Sequence, residues 1–466
     1  METLTLSQVA AFAGGSLSGG DAGSTVSRIS TDSRTLQAGD LFVPLRGDNF
    51  DGHKFVAQAV ERGAAGAMVE ASWSGSAPTS FGLIRVPDTL AGYQTLAAAY
   101  RRSLSLLKVI AITGSNGKTS TKDFVAAVLA KKFRVTKTEG NFNNHVGLPQ
   151  TMLAANTEDE IAVWEVGMNH PGEIAALARL AAPDAAIITN VGIAHIEFMG
   201  SQEAIATEKG SLAEAIAPEG TVILNGDDPF SEGIAGRTRA RIILAGIENG
   251  SVRASEVRQS PTGSEFTISE GAHRCRAQLP VPGLHMVQNA MLAIAAGRAF
   301  GLSLEECAAG LAATPLTKAR LQIKEINGIQ FIDDSYNANP DSMKAALRTL
   351  VELDAEGRRI AVLGEMGELG DQSERGHREV GEAAAHLGVD ELIAVGAAGA
   401  EIARAARKAG LEKSVAVDAP ADAAELLAQS ASAADLILVK GSRSARMERV
   451  LEAFSNLQQV TGGRTA

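Results

Sequence analysis

The chain has 466 residues and carries 43 Lys and Arg against 54 Asp and Glu, a formal charge of −11. A hydrophobic fraction of 45% with 21% charged residues belongs to a globular chain and excludes a disordered one. The length predicts two to four domains at about 100–200 residues each. The acidic balance and the 4% aromatic content exclude a broad nucleic-acid surface, so no nucleic-acid partner is expected. Two cysteines, Cys275 and Cys307, cannot build a disulfide framework, which predicts a reducing, cytoplasmic setting. The start METLTLSQVAAFAGG lacks a basic n-region, and no uncharged apolar run reaches about 18 residues, so neither signal peptide nor membrane span is expected.

In chain order, residues 1–86 alternate short apolar runs with turns. They predict a strand at Leu41–Leu45, a helix in KFVAQAVERGA and a strand at Ala65–Glu70, a small α/β unit. Residues 87–314 open with a helix over Thr89–Leu104 and a strand over Lys108–Gly114. A glycine-containing loop follows, then a helix from Thr119. Apolar strands recur at Ile161–Val166, Ala185–Val191 and Thr221–Asn225 with helical stretches between most of them, the pattern of a parallel sheet with crossover helices. A β-rich stretch over Arg253–Leu279 precedes a helix over Gln288–Phe300. In residues 315–466 the strands IQFIDDS, RRIAVLGE, ELIAVG and ADLILVKG alternate with helices such as GHREVGEAAAHLG and AEIARAARKAG. That predicts a second doubly wound, Rossmann-like unit. The expected fold class is therefore α/β in three domains, with boundaries near 86 and 315.

The sharpest chemical signal is Thr113-Gly114-Ser115-Asn116-Gly117-Lys118-Thr119-Ser120, set between an apolar strand and a helix start. Backbone N–H groups in such a turn cradle phosphate oxygens. Lys118 would place a positive charge near the β- and γ-phosphates, and the Thr119 hydroxyl would ligate Mg²⁺. Ile112 stands where the usual pattern has its first glycine, so this is a shortened phosphate loop. Glu165 and His195 each follow a strand's carboxyl end, where open α/β sheets bind ligands. Glu165 is a hard oxygen donor suited to Mg²⁺. Alone, His195 reads as a structural hydrogen-bonder and Lys209 as a solvated helix lysine.

TGSNGKTST, NFNNHVGLP, WEVGMNHPGEI, NVGIAHIE and EKG occur here in the order found in Mur ligases, which the chain resembles over nearly its whole length. FIDDSYNANPDSM, GEMGELG, His377 and KGSRSARME resemble the branch of that family that adds D-alanyl-D-alanine. STDSR and LFVPLRGDNFDGH resemble its nucleotide-sugar domain. The resemblance implies a UDP-muropeptide domain at 1–86, a P-loop ATPase-like domain at 87–314 and a C-terminal ligase domain at 315–466. It implies an ATP-dependent ligase that joins D-alanyl-D-alanine to UDP-N-acetylmuramoyl-tripeptide through an acyl phosphate, in peptidoglycan synthesis, working as a monomer.

On that resemblance Gly114, Ser115, Asn116, Gly117, Lys118, Thr119 and Ser120 would hold ATP. Asn289 would read adenine, Asp334 and Tyr336 would approach the nucleotide, and Arg320 would make a closing contact to it. Thr119, Glu165, His195 and Lys209 would serve two Mg²⁺ ions, Lys209 as a carbamate. Lys118, His195 and Lys209 would be the catalytic side chains. Thr31, Ser33, Arg34 and Arg46 would read the uridine diphosphate. The family usually has Asn after the His of LHMVQNA; Met286 stands there. Folylpolyglutamate synthetase and the diaminopimelate-adding Mur enzyme are rivals that lack the DDSYNANP run, and a P-loop switch or transport ATPase accounts for the phosphate loop alone.

Overall fold

A computed structural model describes residues 1–47, 49–315 and 317–462. Asp48, Leu316 and the last four residues of the expected C-terminal domain lie outside the described residues. The described chain folds as two compact units. One comprises residues 1–112, 133–168 and 172–186; the other comprises 113–132, 169–171 and the chain from 187 onward.

The first unit holds a five-stranded sheet in the order Ser16–Ser18, Gly82–Val86, Gly66–Glu70, Leu41–Phe42, Ile29–Ser30. Only the first pairing is antiparallel. Every residue of Gly66–Glu70 is buried, as in a parallel strand covered on both faces. Phe42, Val56, Ala59, Val69 and Phe81 pack together beside it. The predicted strand Leu41–Leu45 ends at Phe42, two residues before Pro44, which has no N–H for a ladder. The predicted helix divides into a 3₁₀ turn, Gly52–Phe55, and the helix Val56–Glu61. The same unit holds the strand Lys108–Thr113 as far as Ile112, parallel to Ile161–Glu165, which also pairs with Val135–Lys137.

In the second unit Thr221–Asn225 runs parallel to Arg241–Gly246. The β-rich stretch is an antiparallel meander of Val252–Ser260, Gly263–Glu270 and His273–Leu279. The helix after it starts at Leu284 rather than Gln288, because Pro282-Gly283 is the actual break. The C-terminal sheet has six strands in the order Gln322–Ile326, Ile329–Asp334, Leu436–Lys440, Arg359–Gly364, Glu391–Val395, Ser414–Val417. Its first pair is antiparallel and the rest are parallel. Phe331, Val362, Ile393, Leu427, Val439 and Phe454 form its core, each large side chain contributing roughly 1.5–3 kcal/mol by leaving water. The last strand inserts between Ile329–Asp334 and Arg359–Gly364, so the strand order reverses there. The carboxyl ends at that reversal are Asp334, Lys440 and Gly364, where a doubly wound sheet presents its crevice. Among the described residues no helix is long and apolar enough to cross a membrane.

Candidate active site

The strand Lys108–Thr113 is buried from Val109 onward and delivers the chain into the loop Gly114–Gly117. The helix Lys118–Leu129 starts directly after it, with Gly117 as N-cap. Two glycines are required by geometry. Gly114 has φ 150° and a Cβ there would overlap Thr189 Oγ1; Gly117 has φ 79° and its Cβ would lie 2.6 Å from Asn289 Oδ1. A second loop, Thr189–Gly192, braces the first. Ser115 N–H donates to Asn190 O and Asn116 N–H to Asn190 Oδ1, both at 2.9 Å. Thr189 Oγ1 and Asn190 Nδ2 donate to Asn116 O at 2.5 and 3.1 Å. Ser115 Oγ accepts from Gly192 N at 2.8 Å and donates to Gly192 O at 3.1 Å. The loop is thus fixed at the start of a helix, whose first-turn N–H groups and dipole favour an anion. Lys118 Nζ lies across the loop, donating to Gly114 O at 2.6 Å.

Lys209, on the helix Gln202–Glu214, is 1% exposed. Burial, and then the charge of Lys118, push its ammonium well below the ordinary lysine range against the opposing pull of Glu208. The fold therefore favours a neutral amine at this position. His195 and Glu368 both adopt left-handed backbone, φ 64° and 60°, a conformation uncommon outside glycine and often found at functional sites. His195 Nδ1 lies 2.5 Å from Glu368 Oε2. The His195 ring lowers the Glu368 carboxyl, burial opposes it, and the charges of His195 and Lys118 add to the lowering.

Asn289, 5% exposed, backs onto Gly117 of the phosphate loop. Asp334 is buried and accepts from Lys440 Nζ at 2.6 Å and from Leu321 N at 3.3 Å. The Arg320 guanidinium lies 4.2 Å over the Tyr336 ring, a cation–π contact. Ala319 and Leu321, on either side of Arg320, are both left-handed. Gly114 to Ser120, Asn289, His195 and Lys209 thus share the second unit with Arg320, Asp334 and Tyr336, the latter forming a cluster around Lys440.

Glu165 belongs to the first unit, where it ends its strand with 1% exposure and its N–H donates to Thr138 Oγ1 at 2.9 Å. Its neighbour Trp164 and the nearby Met168 are buried. Thr31 is half-buried and Ser33 buried. The exposed Arg34 forks onto Asp32, whose carboxyl is drawn to about 2 by that side chain and by the Arg34 N–H. Arg46 reaches Asp51 at 3.3 Å and Glu70 at 2.9 Å, and His53 Nδ1 stands 2.7 Å behind Asp51. Both arginines are therefore held by carboxylates.

Sequence reasoning did not single out Thr189, Asn190, Asn339, Asp341 or Glu368. Asn339, Asp341 and Glu368 lie inside the runs FIDDSYNANPDSM and GEMGELG, and Asn339 before Pro340 also marks a helix start; the runs do not tell which partner each residue meets. Among the described residues no group of three or more His, Cys, Asp or Glu is placed to hold a metal ion. Mg²⁺ keeps several waters and takes substrate phosphate oxygens with one or two carboxylates. The Thr119 hydroxyl and the Glu165 carboxylate are hard oxygen donors of that kind, so the donor chemistry fits.

Comparison with known proteins gives matches along the chain. A model of the Mur ligase middle domain matches residues 112–297, one of the Mur ligase, glutamate ligase domain matches 319–443, and one of the Mur ligase family, catalytic domain matches 25–78. The UDP-N-acetylmuramoyl-tripeptide–D-alanyl-D-alanine ligase of Bacillus subtilis (strain 168) is 42% identical over 91% of this chain and 92% of its own. The ligase of the same description from Escherichia coli (strain K12) is 36% identical over 97% and 99%. The crystal structure of MurF from Acinetobacter baumannii superposes with a TM-score of 0.90 at 33% identity, covering 98% of this chain and 99% of that one.

Proposed function

This chain belongs to the Mur ligase family, and we propose that it works through an acyl phosphate formed at the loop Gly114–Ser120. It is an ATP-dependent ligase that joins D-alanyl-D-alanine to UDP-N-acetylmuramoyl-tripeptide in the synthesis of peptidoglycan precursors. A carboxylate is a poor electrophile. Its oxygen attacks the γ-phosphorus of ATP, ADP leaves, and the carbonyl carbon now carries phosphate as a leaving group. The dipeptide amine then attacks that carbon, loses a proton, and inorganic phosphate departs from the tetrahedral intermediate.

The protein's share is positioning and charge stabilisation. The braced loop and the helix start at Lys118 hold the phosphates, and Lys118 neutralises charge that grows during transfer. Asn289, Arg320, Asp334 and Tyr336 are assigned to the nucleotide, and Thr31, Ser33, Arg34 and Arg46 to the uridine diphosphate. Two Mg²⁺ ions, when bound, would supply positive charge against the phosphates; Thr119, Glu165, His195 and Lys209 are the residues assigned to hold them. The depressed basicity of buried Lys209 supports its reaction as a neutral amine with CO₂ to give a carbamate. Three working domains, 1–86, 87–314 and 315–466, and a monomer in the cytoplasm complete the reading.

One observation carries the assignment: Gly114 and Gly117 admit no side chain in a tight loop at a helix start, the shape a phosphate loop requires. The test is incubation with ATP, Mg²⁺, D-alanyl-D-alanine and the UDP-muramoyl tripeptide, with lysine or diaminopimelate at its third position. Mass spectrometry should find the pentapeptide product together with ADP and phosphate. ATP consumption that ignores both acceptor and muropeptide would overturn the reading.

A further inference from the structure

Asn339 is the N-cap of the helix Pro340–Glu352. One side of its amide does the capping: Oδ1 accepts from Ser342 N at 2.9 Å, while Ser342 Oγ accepts from Asn339 N at 3.0 Å. The other side does something a cap does not need. Asn339 Nδ2 donates to Asn116 Oδ1, in the phosphate loop, at 2.7 Å. Two residues on, Asp341 Oδ2 accepts from Ile193 N at 3.1 Å. A Cβ on Gly192 would lie 2.5 Å from that same oxygen, so the approach needs glycine there. The two contacts fall one on the phosphate loop and one on the end of the loop that braces it.

The segment carrying Asn339 is itself tied to the C-terminal sheet. Lys440 Nζ donates to Asn337 O at 2.9 Å, and Arg443 N–H to Asn337 Oδ1 at 3.3 Å. Asn116 in turn receives Thr189 Oγ1 and Asn190 Nδ2 on its carbonyl. Hydrogen bonds therefore run from the carboxyl end of strand Leu436–Lys440 through Asn337 and Asn339 to the loop that holds phosphate.

We propose that Asn339 and Asp341 form a latch by which the C-terminal sheet sets the register of the phosphate loop. Both are positioning residues for phosphoryl transfer, acting through Asn116 and the Gly192–Ile193 backbone. The inference rests on Gly114–Ser120 being the ATP site. Its physical basis is that transfer demands near-attack geometry, and an unlatched loop of the same composition spends less time in it.

The divided amide makes the latch separable from the cap. Asn339→Ser keeps a capping oxygen but is too short to reach Asn116; Asn339→Ala removes both. In the full chain with ATP, Mg²⁺, muropeptide and dipeptide, Asn339→Ser should keep the wild-type melting temperature. Its kcat should fall about threefold to tenfold, the range expected for one hydrogen bond, with the KM for D-alanyl-D-alanine unchanged. Asn339→Ala should lose the same kcat and melt lower. In a double-mutant cycle, adding Asn339→Ser to Asn116→Ala should lower kcat no further. An active wild type with an unimpaired Asn339→Ser, or losses that multiply in the cycle, would overturn the latch alone. A wild type without ATP turnover would overturn the ATP-site reading and the latch with it.

Discussion

Lys440→Met is the perturbation whose cost can be worked most directly from the structure. Lys440 is 2% exposed and Asp334 6%, and their contact at 2.6 Å is a buried ion pair. Burial lowers the basicity of the Lys440 ammonium, Asp334 opposes that, and the charge of Arg320 adds to the lowering. Methionine fills similar space but removes two bonds, to Asp334 Oδ2 and to Asn337 O. Asp334 then keeps Leu321 N–H at 3.3 Å as its remaining hydrogen bond, while its charge stays buried. Breaking a buried pair in this way costs about 3–5 kcal/mol. At about 2–4 °C per kcal/mol for cooperative units of 150–250 residues, the melting temperature should fall by roughly 6–20 °C. Calorimetry of the wild type and the variant reads this, with Asp334→Leu added as the control. The double variant removes the stranded charge and should recover most of the loss, since apolar replacement of a buried pair is often neutral. A loss below about 1 kcal/mol for Lys440→Met, or a double variant worse than the single, would refute the reasoning.

Lys118→Ala should abolish ligation at saturating ATP while the protein keeps its circular dichroism and melting profile, because Lys118 acts on transition-state charge; wild-type turnover would remove the ATP site from this loop. Arg46→Ala should weaken the muropeptide by about 1.5–3 kcal/mol, the worth of a charged hydrogen bond, and spare ATP binding; calorimetric titration with each ligand separates the two, and unchanged muropeptide affinity counts against the assignment. Lys209→Ala should lose nearly all activity, with partial return on adding short carboxylic acids, and full activity in the unsupplemented variant would end the carbamate role.

The legible parts of the fold were those whose signal is local. The strand Lys108–Thr113, the glycines of the phosphate loop and the alternation of strands and helices in the C-terminal segment are periodicity and turn chemistry written in consecutive residues. The errors lie where one residue overrides a pattern. Pro44 follows the end of a strand whose apolar run continues past it, and Pro282-Gly283 moves a helix start to Leu284. The loop's shape was legible where a motif carries its own geometry, as at Gly114 and Gly117. The proposed site was illegible where contacts join residues far apart in the chain. The pairings of Glu368 with His195, Asn339 with Asn116 and Asp341 with Ile193 have no sequence signature, since neither member announces its partner. Arg34 and Arg46 show the reverse case: the residue type suits a phosphate ligand, but Asp32, Asp51 and Glu70 already hold both side chains. On the proposed assignment, muropeptide binding would exchange one anion for another.

That exchange bears on how charge is arranged at the phosphate loop. Lys118 lies near enough to disfavour the proton of Lys209, which is wholly buried. A buried ammonium facing another cation is among the least favourable arrangements a fold can hold, with a desolvation penalty of several kcal/mol per ion. Losing the proton removes the penalty but leaves an amine with no evident use. Carbamate formation goes further, because it turns the group anionic. The field of Lys118 would then stabilise the group instead of opposing it, and a carbamate would offer two hard oxygens of the kind Mg²⁺ takes. The same burial that makes the ammonium unfavourable makes the neutral nucleophile available to CO₂. On this argument Glu208 is a counterweight, tempering the depression of basicity from the next position on the helix. Replacing Glu208 with Gln should deepen that depression, so that at a given low CO₂ the variant forms carbamate more readily than the wild type, measurable as activity retained when bicarbonate is withdrawn. A variant more dependent on bicarbonate than the wild type would contradict the electrostatic account while leaving the ligase assignment intact.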